Sequence, residues 1–252
     1  MSWRVFAAAA IGKSHIDAGT PCQDAFARAV VGDTLVAAVC DGAGSQPLSH
    51  VGSEALSRRV VELLAQHVEA GESLAKLEEE TFLYTVASVV KAVRAELEAE
   101  AQAAGVEPRC YAATLVGVVA DGEGGWFFHV GDGIGAAQPQ GEDAEAVVSQ
   151  PENGEYANET YFVTGEDWRE HLHLTRIGSP VRTLALMSDG AAPFVMAKGN
   201  AGFFRPFIDP VERFLAGVAE ADGSKALAAT LGDARTHGIT GDDKTLLLAL
   251  WR

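Results

Sequence analysis

The chain has little of several features that would narrow its class. No apolar run approaches the roughly 20 residues that span a bilayer, so we expect no transmembrane helix. The three cysteines, Cys22, Cys40 and Cys110, are odd in number and widely spaced, which fits neither a zinc pattern nor a disulfide framework. We therefore expect reduced, structural thiols in a soluble, cytoplasmic protein.

Basic charge is also scarce. The chain has 19 Lys and Arg residues against 35 Asp and Glu residues, a formal net charge of -16. This excess repels phosphate backbones and anionic headgroups, so we expect no nucleic-acid partner and no binding to a membrane surface. Part of the excess could belong to a cation site, although an acidic surface that keeps the protein soluble is the simpler interpretation.

Boundaries between domains are missing as well. No repeat, low-complexity tract or Pro/Ser-rich linker interrupts the 252 residues, and we predict a single domain over 1–252. The start, Arg4 followed by the apolar run 5–11, weakly imitates a signal peptide. Because that run is short, we interpret it as a first buried strand.

Hydrophobic periodicity predicts the secondary structure. Strands are predicted at 3–11, 25–31, 34–40, 111–120, 126–130, 134–138, 183–187 and 245–251, with a hairpin turn at Gly32-Asp33. Helical patterns run from Ser49 to His67, from Leu74 to Leu97, and at about 210–221 and 224–236. His67 lies beside an apolar stripe and is interpreted as a packed core histidine, and the polar stretch 140–179 as an irregular insertion. This order predicts an α+β fold, a four-layer α/β/β/α sandwich with two central antiparallel sheets.

Aspartates recur where apolar strands meet turns, at Asp24, Asp41, Asp132, Asp189 and Asp242. Any single Asp-Gly pair is explained by turn chemistry, because Asp caps its own backbone and Gly supplies positive φ. The recurrence favours a shared site, since carboxylates at the ends of neighbouring strands can converge at one sheet edge. Hard divalent cations such as Mg²⁺ or Mn²⁺ prefer such oxygen ligands.

Six short motifs carry a family resemblance. They are Gln23-Asp24, VCDGAG at 39–44, CYAAT at 110–114, HVGDG at 129–133, LMSDG at 186–190 and GDDKT at 241–245. Their order, spacing and position at strand ends resemble the type 2C, metal-dependent serine/threonine protein phosphatases, especially the compact bacterial branch. The resemblance covers nearly the whole chain.

The resemblance implies a dinuclear metal site at one edge of the sandwich. Asp41 would bridge two Mn²⁺ or Mg²⁺ ions, the Gly42 carbonyl would bind one of them, and Asp189 and Asp242 would bind the other. A water activated between the metals would attack phosphoserine or phosphothreonine in a protein, for example a substrate of a bacterial serine/threonine kinase.

Two further aspartates have roles under the same resemblance. Asp24 would hold metal-bound water and complete the catalytic set with Asp41, Asp189 and Asp242. Asp132 would contribute to the weaker third metal site of some members.

The chain departs from the family pattern at several positions. Gln23 stands where members often have Glu, and Ala43 stands where some eukaryotic members have a candidate acid histidine. The upstream arginine that holds substrate phosphate has no match, and Lys13 or His15 could replace it.

The ligand in GDDKT could be Asp242 or Asp243, and the family pattern favours Asp242. Two other functions stay open at this point. A pseudophosphatase that binds a phosphoprotein without turnover would explain Gln23 and the missing arginine. A phosphatase for small phosphoesters could use 140–179 as a lid over the site, although the same segment could be the family's mobile flap.

Overall fold

The computed structural model describes residues 2–141, 144–152 and 160–252. The strands within these ranges are β1 (Trp3–Ala10), β2 (Ala25–Val31), β3 (Thr34–Cys40), β4 (Leu115–Asp121), β5 (Gly124–Val130), β6 (Ile134–Pro139), β7 (Val147–Ser149), β8 (His173–Ile177), β9 (Val181–Met187) and β10 (Lys244–Trp251). The α-helices are α1 (Lys13–Ala18), α2 (Ser49–Glu69), α3 (Glu79–Ala104), α4 (Ala192–Val195), α5 (Arg205–Leu215) and α6 (Glu220–Leu231).

The strands form two five-stranded sheets. One has the order β1-β10-β9-β6-β7 and the other β2-β3-β4-β5-β8. Every strand pairing is antiparallel. The predicted hairpin at Gly32-Asp33 is confirmed, because β2 and β3 pair from Val31 with Thr34 onward.

Three layers of apolar side chains hold the sandwich together. The layer between the sheets includes Leu35, Phe127 and Leu247. A second layer joins the β2-to-β8 sheet to α2 and α3, and a third joins the other sheet to α5 and α6. Because both faces of the central strands are covered, every residue of β4 and β5 is buried. The predicted α/β/β/α arrangement is confirmed.

The predicted bounds of α5 and α6 were wrong by several residues. The prediction began α5 at Pro210, but the helix begins at Arg205 and contains Pro210. It placed Gly223 before α6, whereas this glycine lies inside the helix. A Cβ at Gly223 would lie 2.4 Å from the Phe6 ring, so the missing side chain lets α6 pack against β1. The glycine serves close packing here and does not end the helix.

The prediction of an irregular insertion at 140–179 was also wrong in part. The segment contains β7 and β8, each an edge strand of a different sheet. Edge strands pair on one side only and need no continuous apolar pattern, which explains why periodicity missed them. Residues 142–143 and 153–159 of the segment lie outside the described residues.

Several short helical elements differ from the prediction. α1 was not predicted, and 3₁₀ turns at Leu74–Lys76 and Pro108–Tyr111 replace the predicted starts of α3 and β4. His67 is not in the core: it is partly exposed, with Nδ1 2.9 Å from Glu72 Oε1.

All three cysteines are unpaired. Among the described helices, none is long and apolar enough to cross a membrane.

Candidate metal centre

Antiparallel pairing brings two of the predicted ligands to one end of the β2–β3 hairpin. Ala25 pairs with Cys40. Asp24 directly precedes the first of these residues and Asp41 directly follows the second. The two carboxylates therefore leave neighbouring strands at the same sheet edge.

The other sheet brings three more aspartates to the same region. Met187, near the end of β9, pairs with Leu246 near the start of β10. It also pairs with the first residue of β6. Asp189 follows β9, Asp242 precedes β10, and Asp132 precedes β6. Five strand ends from both sheets thus contribute a carboxylate to one rim of the sandwich.

Electrostatic coupling shows that these carboxylates form one cluster. Burial raises the pKa of Asp41 well above its usual range, and the charges of four neighbours raise it further: Asp24, Asp189, Asp242 and Asp132. Burial raises the pKa of Asp24 to about 7. Desolvation and the charge of Asp132 raise the pKa of Asp189 to about 6, although this residue is exposed to solvent. Such a cluster cannot carry its full negative charge without a compensating cation.

Asp24 is held by a hydroxyl on the neighbouring sheet. Ser188 Oγ donates to Asp24 Oδ2 at 2.6 Å, and the backbone N–H of Thr245 donates to Ser188 Oγ at 2.9 Å. Sequence reasoning noted Ser188 only as part of the LMSDG motif and gave it no role. Its position directly before Asp189, at a strand end, was the available signal.

Two buried acceptors beside the cluster have no donor among the described residues. They are Asp24 Oδ1 and Gln23 Oε1. A buried oxygen without a partner is costly, and a cation bound at either oxygen would compensate it. The donor set, carboxylates with an amide oxygen, suits a hard divalent ion. The residues present therefore fit a divalent cation.

Backbone geometry fixes the position of Asp41 and Gly42. The Asp41 N–H donates to Thr114 Oγ1 at 3.0 Å, and the Thr114 N–H donates to the Asp41 carbonyl at 2.8 Å. The Gly42 N–H donates to the Gln23 carbonyl at 3.1 Å. A Cβ at position 42 would lie 2.8 Å from the Gln23 and Ser49 carbonyl oxygens, so this close approach of three backbones requires glycine.

The two aspartates of GDDKT have different surroundings. Asp243 is 1% exposed, and its carboxylate accepts the N–H of Gly12 at 2.5 Å and that of Gln23 at 2.6 Å. The ring Nδ1 of His15 lies 2.8 Å from Asp243 Oδ2. Asp242 is exposed, and its Oδ1 accepts the Asp243 N–H at 2.9 Å. Asp243 therefore holds the chain around Gly12 and Gln23 together, while the charge of Asp242 acts on Asp41 in the cluster.

The two basic candidates for phosphate binding have partners of their own. Lys13 forms an exposed ion pair with Asp17, one turn along α1. His15 contacts the buried Asp243. Phosphate binding by either residue stays a prediction.

Asp132 is held by a residue that sequence reasoning missed. Thr160 Oγ1 donates to Asp132 Oδ2 at 2.6 Å. Burial raises the pKa of Asp132. Thr160 lies in the polar segment between β7 and β8, where no pattern distinguished it.

Two grooves border the cluster. One, of about 460 Å³, is lined in part by Asp189, Lys198 and Phe204. The other, of about 260 Å³, is lined in part by Ala43 and Arg109. Neither basic residue stood out in the sequence, because each lies in a short 3₁₀ turn outside the motifs.

A larger cavity, of about 640 Å³, is lined by Arg182, Arg205 and Arg213 among others but by none of the five aspartates. Carboxylate chemistry, rather than cavity size, identifies the functional site.

Known proteins resemble this chain along its whole length. The sequence matches the protein phosphatase 2C family over residues 11–232. It is 31% identical to serine/threonine-protein phosphatase 3 of Escherichia coli (strain K12), over 100% of this chain and 99% of that protein.

Solved structures share the fold. The catalytic domain of the serine/threonine protein phosphatase PstP, in complex with 2 manganese ions, superposes with a TM-score of 0.65 at 18% identity, covering 98% of this chain and 97% of that one. PppA of Pseudomonas aeruginosa, described as a regulatory component of its type VI secretion system, gives 0.63 at 18% identity, covering 99% and 98%. Together with the strand-end aspartates, the sequence match shows that the chain belongs to the protein phosphatase 2C family.

Proposed function

We propose that this protein hydrolyses phosphoserine and phosphothreonine in other proteins, using two Mn²⁺ or Mg²⁺ ions. The convergence of five strand-end carboxylates beside the donorless oxygens of Asp24 and Gln23 carries the proposal. When bound, the two ions supply Lewis-acid activation of a water and neutralise charge on the phosphoryl oxygens. All 252 residues serve as one catalytic domain in this proposal.

The proposed ligands divide between the sheets. Asp41 would bridge the two ions and the Gly42 carbonyl would bind one of them. Asp189 and Asp242 would bind the other, and Asp132 would hold a third. The raised pKa values of Asp41 and Asp189 support this assignment, because the cluster gains most from a cation where its carboxylates repel each other most.

Neighbouring residues keep these carboxylates in place before any ion binds. Thr114 fixes the backbone of Asp41, Ser188 orients Asp24, and Thr160 orients Asp132. Preorganised ligands lose little entropy when they bind, so each of these hydrogen bonds supports metal affinity and geometry.

A protein substrate would lie across the two grooves. Lys198 lines one and Arg109 the other, which provides positive charge on both sides of an otherwise acidic centre. Either cation could attract the phosphate of a phosphopeptide, in place of the arginine that the family pattern leads one to expect.

We also place the protein in the bacterial cytoplasm, where it would reverse the action of a serine/threonine kinase. Cys22 and Cys110 are partly exposed and unpaired. Free thiols persist in reducing compartments, which supports a cytoplasmic site of action.

Release of phosphate from a phosphothreonine peptide, with Mn²⁺ and with excess chelator, tests the proposal. We expect turnover that depends on Mn²⁺ and is lost in Asp41→Asn. Peptide binding without turnover would indicate a pseudophosphatase. Turnover of small phosphoesters alone would indicate the other function left open by the sequence. Lys76→Ala is a suitable control, because the Lys76 ammonium pairs with Asp121, which is not one of the five aspartates of the cluster.

A further inference from the structure

Three metal-ligating side chains meet outside the aspartate cluster. Glu152 follows β7, His171 precedes β8, and His173 is the first residue of β8. Glu152 Oε1 lies 3.1 Å from His171 Nδ1, and Glu152 Oε2 lies 2.6 Å from His173 Nε2. One ligand atom from each residue lies within 4.8 Å of the other two. Zinc bonds to nitrogen and oxygen are about 2.0–2.2 Å long, so an ion at the centre requires only small side-chain movements.

A second observation concerns the orientation of the His171 ring. Its other nitrogen, Nε2, lies 3.4 Å from Asp167 Oδ2. The Tyr161 ring stacks on the His171 ring, with centroids 3.4 Å apart and an interplanar angle of 11°. A histidine that binds a metal usually donates its other N–H to a carboxylate, which fixes the ring and raises its basicity as a ligand. Asp167 already lies within ion-pair distance of His171 Nε2, on the side where such a carboxylate stands.

The wall behind the three residues carries another imidazole. His129 pairs with His173 across β5 and β8, and their ring centroids are 5.7 Å apart. His129 is 2% exposed, its Nδ1 is 2.6 Å from Ser149 Oγ, and its Nε2 has no partner among the described residues. A third imidazole, with an unpartnered ring nitrogen among the described residues, therefore lies beside Glu152, His171 and His173. An ion pair between Glu152 and the two histidines does not require it.

We propose that Glu152, His171 and His173 form a transition-metal site separate from the aspartate cluster, with Zn²⁺ as its preferred ion. Imidazole nitrogen favours Zn²⁺ and similar ions, whereas the all-oxygen donors of the aspartate cluster favour Mg²⁺ or Mn²⁺. Two histidines and one glutamate are a known ligand set for zinc, with water in the fourth position. The two sites differ in ligand chemistry and would select different ions.

An ion at this site would hold two chain segments that contact Asp132, one at Gly131 and one at Thr160–Tyr161. The Glu152 N–H donates to the carbonyl of Gly131, the residue before Asp132, at 2.9 Å. Tyr161, stacked on His171, directly follows Thr160, the donor to Asp132. Zinc would therefore hold together the two segments that position Asp132.

The test measures Zn²⁺ binding to the full chain by calorimetry, with excess Mg²⁺ present. We expect wild type to bind one more Zn²⁺ per chain than His171→Ala or Glu152→Gln at the concentrations used. Each variant lacks one ligand, so its affinity for Zn²⁺ at this site should be at least about a hundredfold lower than that of wild type. Asp167→Asn should reduce the affinity by about tenfold, the lower end of the effect of losing a group that orients a ligand, because Asp167 forms an ion pair with His171 at 3.4 Å. His67→Ala is the matched control: His67 also pairs with a glutamate, Glu72, but no third metal-ligating side chain within the described ranges lies beside them.

Spectroscopy gives a second measurement. Co²⁺ in a nitrogen-containing four-coordinate site absorbs much more strongly than Co²⁺ bound to six oxygens, so the wild-type absorption should disappear in His173→Gln. Circular dichroism confirms that each variant is folded, and His171→Gln replaces any alanine variant that is not. Equal zinc stoichiometry in wild type and the variants, or no zinc binding by wild type, would overturn the proposal and leave Glu152 as an ion-pair partner of two histidines.

Discussion

Asp41 has the least favourable electrostatic environment in the cluster. It is coupled to four other carboxylates, and burial removes the water that would otherwise screen them. In the metal-free protein this repulsion opposes folding, and it is relieved only by protonation or by a cation. The residue that we propose bridges the two ions is therefore a source of instability without metal.

Replacement of Asp41 by Asn separates these two effects. Asp41→Asn should abolish Mn²⁺-dependent phosphatase activity, because the bridging carboxylate is lost. In chelator it should leave stability unchanged or raise it by on the order of 1 kcal/mol, because one repelling charge is removed. Thermal melting in chelator and calorimetric Mn²⁺ titration check both results. Wild-type turnover in the variant would show that the site is assigned wrongly.

Asp242 and Asp243 should give opposite results although they are adjacent. Asp242→Ala should remove metal binding and activity with little change in stability. Asp243→Ala should lower the free energy of unfolding by about 2–4 kcal/mol, because it leaves the buried N–H groups of Gly12 and Gln23 without an acceptor.

Chemical denaturation and Mn²⁺ titration of both variants provide the measurements. The reverse order, a stable but metal-free Asp243→Ala protein and an unstable Asp242→Ala protein, would mean that the ligand lies one residue further along the chain.

Sequence alone could predict the aspartates of this site but not the residues that hold them. Each aspartate lies beside one end of an apolar strand, so a local pattern identifies it. Thr114, Ser188 and Thr160 act on aspartates that lie 73, 164 and 28 residues away along the chain. Their partners depend on which strands become neighbours, and no local pattern contains that information.

At the scale of elements, periodicity located the buried strands and long helices and failed at the edges. β3, β4 and β10 are almost wholly buried, and their apolar runs were clear in the sequence. β7 and β8 have exposed or partly exposed positions and no continuous apolar run. Their place in the sheets is fixed by pairing with β6 and β5, which is tertiary information.

Thr160, in the segment between β7 and β8, contacts the cluster by a hydrogen bond to Asp132. We expect proton supply to the leaving oxygen to depend on Asp132, because Ala43 has no proton to donate. Asp132→Ala should slow a phosphothreonine peptide on the order of tenfold or more, and p-nitrophenyl phosphate much less, because nitrophenolate needs little protonation. Thr160→Val should change both rates in the same direction but less, since the carboxylate remains.

Values of kcat for the two substrates at saturating Mn²⁺ decide this prediction. Equal losses for both substrates would restrict Asp132 to a structural or general metal-binding role. Thr85→Val is a matched control, because its hydroxyl bonds only a carbonyl of its own helix, far from the site.

At the scale of the whole molecule, the two sheets meet with their aspartate-bearing ends together. Asp24 and Asp41 come from one sheet, and Asp189 and Asp242 come from the other. The apolar layer between the sheets fixes their separation and so fixes the distance between the two halves of the proposed metal site. The order of strands and helices was enough to predict this sandwich, but the relative placement of the two edges follows only from the packed core.

The cluster also makes stability depend on pH and metal together. The folded pKa values of Asp24, about 7, and Asp189, about 6, lie above the ordinary 3.8. From about pH 4 to about pH 7 the folded chain therefore holds protons that the unfolded chain has lost, so stability falls as pH rises through this window. In chelator, we expect the cluster to lower the melting temperature more at about pH 8 than at about pH 5.5, with a smaller difference in Asp24→Asn.

Saturating Mn²⁺, at about 100 times its dissociation constant, should raise the melting temperature at the higher pH by on the order of 5–10 °C, and by less at the lower pH because protons compete. Melting curves at both pH values, with and without Mn²⁺, provide the measurement. An increase from Mn²⁺ that is the same at both pH values, or larger at the lower one, would show that these carboxylates do not hold the ions.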